Sequence, residues 1–325
     1  MKLVRRQFLR LAAGVAVLPV MPRVASALDY PSQPVRMIVP YAPGGTTDTV
    51  ARQIGPWLSE RLAQAFVIES RPGAGTNVRT DAVAHAAPDG NTLLLFDPSA
   101  AINATLYEKL NFNFIRDIAP IVCIFRTPLV IVVNPSYSAK TLPEFIAHAK
   151  ANPGKINMAS AGIGSSSQLA GELFKEMAGI DMTHIPYRGG GPAIINLLGG
   201  QVDVFFSPMA IAVAHIRGGK LRALATTGAT RSDALPEIPT VAEFVPGFET
   251  SYWIGLGAPK NTPVEITSKL NREINAALAD PRLKSHFADL GGSAVGGSAD
   301  DFGKLVSDET AKWGKVVRAA HIKAE

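Results

Sequence analysis

The chain has 325 residues, 47% of them hydrophobic and 18% charged, with a single cysteine at Cys123. It carries 32 Lys and Arg against 27 Asp and Glu, but five of the basic residues (Lys2, Arg5, Arg6, Arg10, Arg23) fall within residues 1–27, where no acid occurs. Beyond residue 27 the two signs balance at 27 each, so nothing there supports a nucleic-acid binder, which should show a basic patch or arm. One cysteine, set in the apolar run Ile121-Val122-Cys123-Ile124-Phe125, excludes an internal disulfide and reads as core rather than as a reactive thiol.

The basic start, the apolar run at residues 11–20 and the small residues Ala25-Ser26-Ala27 predict a signal peptide over 1–27 and a periplasmic destination. Arg5-Arg6 followed by Gln7-Phe8-Leu9 gives it the twin-arginine form. The apolar run is about half of the roughly 20 residues that a membrane span needs, so the mature chain is expected to be soluble, and monomeric. Its length suggests two domains.

Residues 35–39 predict a strand, Pro40-Tyr41-Ala42-Pro43-Gly44-Gly45 a turn, and Thr46-Thr47-Asp48 the start of a helix with Val50, Ile54, Trp57, Leu58 and Leu62 on one side. This order gathers backbone N–H groups around a helix mouth, where an anion binds without a basic side chain. The Gly-Lys-Ser/Thr of a nucleotide phosphate loop and the spacing of a dinucleotide fingerprint are both missing. A strand at 65–69, a helix at 78–87 and a nearly continuous apolar strand at 92–96 continue an alternation typical of a covered parallel sheet. Asp97-Pro98-Ser99 opens a further loop at the edge where ligands of such sheets collect.

Residues 129–135 read as the passage into a second domain. There Ser160-Ala161-Gly162-Ile163-Gly164-Ser165-Ser166-Ser167 repeats the opening pattern of strand, glycine turn and hydroxyl-rich helix start. A third glycine loop, Pro186-Tyr187-Arg188-Gly189-Gly190-Gly191-Pro192, follows a strand at 182–185. A strand at 202–206, a helix at 209–216 and a strand at 221–225 complete this part. The proline-rich residues 231–248 link back, a strand at 252–257 is expected to recross, and two helices close the chain. The reading is a first lobe of residues 28–128 and 247–325 and a second of 129–246, hinged for closure around a ligand.

No two histidines stand at metal-ligand spacing, no Cys-x-x-Cys occurs, and the serines at 165–167 lack the Gly-x-Ser-x-Gly elbow of a nucleophile. The chain therefore reads as a binding protein rather than an enzyme, with no metal or cofactor. Tyr41, Ala42, Gly44, Gly45, Thr46 and Thr47 are the first group of candidate ligand contacts, although Thr46 and Thr47 also fit a plain helix cap. Asp48 fits either the helix dipole or a water-bridged ligand. Ser160, Gly164, Ser165 and Ser166 form the facing group, with a serine cap as the plain alternative. Tyr187 joins them; Arg188 fits a carboxylate or solvent equally; Asp203 could accept from a ligand or from a hinge amide. His184, Trp57 and Trp253 read as structural.

Together these segments resemble the extracytoplasmic solute receptors of tripartite tricarboxylate transporters. The likeness rests on Pro40-Tyr41-Ala42-Pro43-Gly44-Gly45 with Asp48, Arg71-Pro72-Gly73-Ala74-Gly75, Pro88-Asp89-Gly90, Ser160-Ala161-Gly162 with Gly164-Ser165, and His184-Ile185-Pro186-Tyr187-Arg188-Gly189. Gly199-Gly200-Gln201-Val202-Asp203 and Leu235-Pro236-Glu237-Ile238-Pro239-Thr240 extend it over the mature chain. The resemblance implies a type II periplasmic binding protein fold: two Rossmann-like α/β lobes joined by two crossover strands, with a ligand cleft between them. It implies a small organic acid as ligand (a di- or tricarboxylate, an aromatic acid, or an amino acid or amide), held by the loops at 41–47 and 160–166. Its implied partners are the membrane permease subunits of such a transporter, with a sensor kinase as the alternative for a receptor that signals. Thr76-Asn77-Val78-Arg79, Gln168 and Asp97-Pro98-Ser99 depart from the family pattern, and Asp97 adds a negative charge to the cleft if it faces inward.

Overall fold

The structure, a computed structural model, describes residues 30–70, 72–73, 76–107, 109–319 and 322–324. The signal peptide read at 1–27 and Arg71, Ala74 and Gly75 of the second glycine turn lie outside the described residues.

Val35–Val39 (β1), Phe66–Ser70 (β2) and Thr92–Phe96 (β3) run parallel in the order β2-β1-β3, connected by Thr46–Leu62 (α1) and Asn77–Ala84 (α2). Along β3, Leu93 and Leu95 enter one core cluster while Leu94 and Phe96 enter another. A strand covered on both faces explains its unbroken apolar sequence. Where a loop was expected after β3, Pro98–Leu106 forms a helix (α3). Asp97 caps it by accepting from the Ser99 N–H at 2.9 Å, and Pro98, which has no N–H to leave unsatisfied, takes the first helical position.

After the single turn Phe114–Asp117 (α4), the strand Ile118–Val133 (β4) runs for 16 residues and belongs to both sheets. Its first part lies antiparallel between Ser251–Pro259 (β9) and Ser293–Gly296 (β10). From Leu129 to Val133 it pairs instead with Val204–Pro208 (β7) and Arg222–Thr226 (β8). Asn157–Ser160 (β5) and Thr183–Pro186 (β6) extend this second sheet in parallel beyond β7. Leu142–Ala151 (α5), Ser166–Ala178 (α6), Gly190–Leu198 (α7) and Met209–Arg217 (α8) connect its strands.

The passage read at 129–135 lies in the second half of β4, whose exchange of partners falls at Pro128, which offers no N–H to a ladder. One expectation about the crossings is corrected. The strand read at 252–257 does not recross, because β9 lies wholly in the first sheet and the return is made by residues 227–250. Thr227 ties the two passages together: its Oγ1 accepts from the Leu129 N–H at 2.9 Å and lies 2.8 Å from the Thr250 carbonyl, to which it donates.

Val264–Ala279 (α9), Pro281–Asp289 (α10) and Ala299–Ala319 (α11) complete the first lobe. Phe302, Val306, Trp313 and Val317 of α11 are buried at helical spacing. Trp253 is fully buried, with Phe96 and Phe302 edge-on at 5.8 and 5.6 Å, as expected of a core residue. No helix among the described residues is long and apolar enough to cross a membrane.

Candidate ligand-binding site

The carboxyl ends of β1 and β3 in the first sheet face those of β5, β6 and β7 in the second across the hinge. A cavity closes between them. Tyr41, Gly45, Thr46, Thr47, Asp97 and Tyr252 line it from the first lobe; Ala161, Ser166, Ser167, Gly190, Pro208 and Ile211 line it from the second. Measured to the centre of a water-sized sphere, its free volume is about 20 Å³, room for about one water. Tyr41 and Ala161 also border an open groove of about 520 Å³ at the cleft mouth, flanked by Tyr187 and Arg188. Another groove, of about 410 Å³, lies behind the hinge at residues 126–128, 228–234 and 291–293. Among the described residues, no buried side chain without a partner lines it, in contrast to the cavity between the lobes, which Thr46 borders.

Glycines allow the two lobes to meet. A Cβ on Gly191 would stand 3.2 Å from the Pro43 carbonyl oxygen, and one on Gly189 would stand 3.5 Å from the Ala42 nitrogen. A Cβ on Gly164 would run into Asn103 of α3.

On the first lobe, α1 opens without a side-chain cap, its Ncap being Gly45. The N–H groups of Thr46 and Thr47 therefore have no acceptor within the helix. Thr46 is 4% exposed and, among the described residues, its hydroxyl has no hydrogen-bond partner, although it borders the cavity. The Thr47 hydroxyl lies 2.9 Å from that of Tyr252. Asp48 points away from the ligand space: its carboxylate accepts from Gly44 N–H, Arg52 and Ser70. Burial raises its pKa, but those hydrogen bonds outweigh burial and hold it below the usual range. Asp48 braces the loop that shapes the helix mouth.

On the second lobe, Ser165 caps α6 by accepting from Gln168 N–H and donates to the Gly162 carbonyl at 2.6 Å. Ser167 accepts from Ala161 N–H at 2.9 Å, which leaves Ser166 as the serine facing the cavity without a polar partner among the described residues. Ser160 serves the loop. Gln168 accepts from Gly164 N–H through Oε1, so its amide nitrogen donates to His184 Nδ1 at 3.2 Å. His184 Nε2–H must then donate to Ser160 Oγ, which passes its own proton to the Gly162 carbonyl. Burial, with a smaller effect of Lys175, pushes the His184 pKa down to about 4, so the ring works as a neutral strut.

The structure does not bring Asp203 to the cleft. It precedes β7, whose first residue is Val204, and accepts from the N–H of Asn157 at 2.7 Å, at the amino end of β5. The cavity lies at the other end of those strands. Conversely, Asp97, Tyr252, Ser167, Ala161, Gly190, Pro208 and Ile211 line the cavity without having been singled out as ligand contacts. Asp97 did carry a signal, since it occupies the same strand-end, helix-start position as Gly45 and Ser165.

Two α/β lobes hung on a shared strand, with unpartnered donors at facing helix mouths, define a two-lobed solute-binding protein. The sequence profile described as tripartite tricarboxylate transporter family receptor matches residues 50–322. Protein BugT of Bordetella pertussis is 40% identical over 296 residues, covering 90% of this chain and 91% of that protein. The structure titled R. palustris Rpa4515 with adipate matches with a TM-score of 0.88 at 33% identity, covering 90% of this chain and 99% of that one. MatC from Rhodopseudomonas palustris with bound malate matches at 0.85 and 33% identity, covering 89% and 100%. The chain belongs to the tripartite tricarboxylate transporter receptor family, as its glycine-loop motifs implied. It is a receptor of the two-lobed periplasmic binding protein fold, not an enzyme.

Proposed function

We propose that this receptor works in the periplasm, captures a small carboxylate-bearing organic solute by closing its lobes, and delivers it to the membrane permease subunits of a tripartite tricarboxylate-type transporter. The observation that carries this reading is the buried Thr46 hydroxyl, unpartnered beside the open N–H groups of α1 and opposite Ser166 at the start of α6. Unpartnered donors at two helix mouths suit an anion, and an unsatisfied buried hydroxyl costs about 1–3 kcal/mol until an acceptor arrives. Neighbours titled with adipate and with malate support the acid class.

Calorimetry tests the reading, using the chain from residue 28 onward, unfolded and refolded to strip any carried ligand, against organic acids, amino acids and amides. Saturable one-to-one binding of an acid is expected. Absence of heat across the whole panel would overturn the proposal. Delivery is tested by uptake in vesicles holding the permease subunits, which should require the receptor.

A further inference from the structure

The cavity is lined by a buried carboxyl group, Asp97, to which no cation comes among the described residues, and burial pushes its pKa up. Asp97 is 2% exposed, and its carboxylate accepts from Ser99 N–H at 2.9 Å, from the Tyr41 hydroxyl at 3.0 Å and from the Tyr252 hydroxyl at 2.6 Å. All three donors are neutral. Asp48, the other buried acid at this end of the first sheet, is closed off by Arg52 at 2.9 Å. A carboxylate offers about four acceptor positions. Oδ1 accepts from the Ser99 N–H and lies 3.0 Å from the Tyr41 hydroxyl, which also reaches Ser99 Oγ at 2.7 Å, while Oδ2 accepts from Tyr252 on the wall of the cavity.

The hydroxyl protons converge on this group. Tyr252 has one proton and gives it to Asp97, so Thr47 donates to Tyr252 in turn. A second carboxylate placed here would meet a like charge and hydroxyls whose protons are already committed. A protonated amine would supply the counter-charge that none of the described residues gives, and an uncompensated buried carboxylate strongly favours such a partner.

We propose that the ligand is a small aminocarboxylate, with its carboxylate at the mouths of α1 and α6 and its ammonium on Asp97 Oδ2. The inference rests on the carboxylate-receptor reading and narrows it. It separates this chain from a binder of dicarboxylates, which Asp97 disfavours by repulsion.

The test is calorimetry on the refolded mature chain with matched probes: alanine against propionate, γ-aminobutyrate against butyrate, and succinate and glutarate as dianions. At least one amine is expected to bind about tenfold or more tightly than its deaminated partner and than either dianion, the scale of one charge-assisted hydrogen bond. Asp97→Asn, which can still cap α3 and whose folding is checked by circular dichroism, should erase that preference while binding the deaminated acid as well or better. Dianions or deaminated acids that bind wild type as tightly as the amines overturn this inference and leave the carboxylate receptor standing. A folded Asp97→Asn variant that keeps the preference also overturns it. Failure of every acid to bind overturns both readings.

Discussion

At the scale of single residues, the donors that await a ligand differ from those that hold a loop. Thr46→Val removes a hydroxyl that the protein itself leaves unpartnered. Calorimetry should show about a tenfold loss of affinity for the bound acid, with the melting temperature of the free protein unchanged or slightly raised. His184 belongs to the second kind and gives stability a pH dependence. Its folded pKa of about 4 lies below the ordinary histidine value of about 6.5, so the unfolded chain binds more protons between those limits. The contribution of the neutral ring is complete above pH 6.5, falls as pH drops, and is gone below about 4. Urea titrations across that window should show a loss on the order of 1–3 kcal/mol, and His184→Gln, which can keep both hydrogen bonds without titrating, should flatten it.

At the scale of elements, glycines mark where two segments approach too closely for a side chain. Gly191→Val places atoms against the Pro43 and Gly44 backbone of the facing lobe, and so should oppose the proposed closure. Affinity should fall by more than about tenfold while the unliganded melting temperature is unchanged. Gly255→Val acts inside the first lobe, where any Cβ meets the Phe302 ring, and should cost about 1–3 kcal/mol or more in urea unfolding. The sequence made legible whatever is local: strand, glycine turn and helix mouth at Gly44-Gly45-Thr46, and the parallel rather than loop-like setting of β3. It could not disclose partners far along the chain. Ser160 looks like a ligand donor until His184, 24 residues on, occupies it; Tyr252 reaches Thr47 across 205 residues. Asp203 stands at the amino end of its strand, away from the cleft, and its partner, the Asn157 N–H 46 residues back, could not be read from the sequence.

At the scale of the whole molecule, the proposed closure would rotate one sheet against the other about Pro128 in β4 and the return segment fastened by Thr227. Small-angle scattering should therefore show a smaller radius of gyration when the bound acid is added to wild type, and no such decrease for Gly191→Val. Loss of the Thr227 tie, as in Thr227→Val, leaves the Leu129 N–H and Thr250 carbonyl without their hydroxyl partner and should loosen both passages at once, read as faster hydrogen exchange at residues 129 and 250.

The shared strand also fixes an order of assembly. Every strand of the second sheet has been made once Thr226 is in place, whereas β9, which sits between β3 and β4 in the first, is built from residues 251–259. A growing chain thus carries two unfilled strand edges for the time taken to make about 120 further residues after β4, and such edges invite pairing with other chains. The half of the receptor that begins first is the half that finishes last, so the unfinished first lobe is where a chaperone or an aggregating neighbour would take hold.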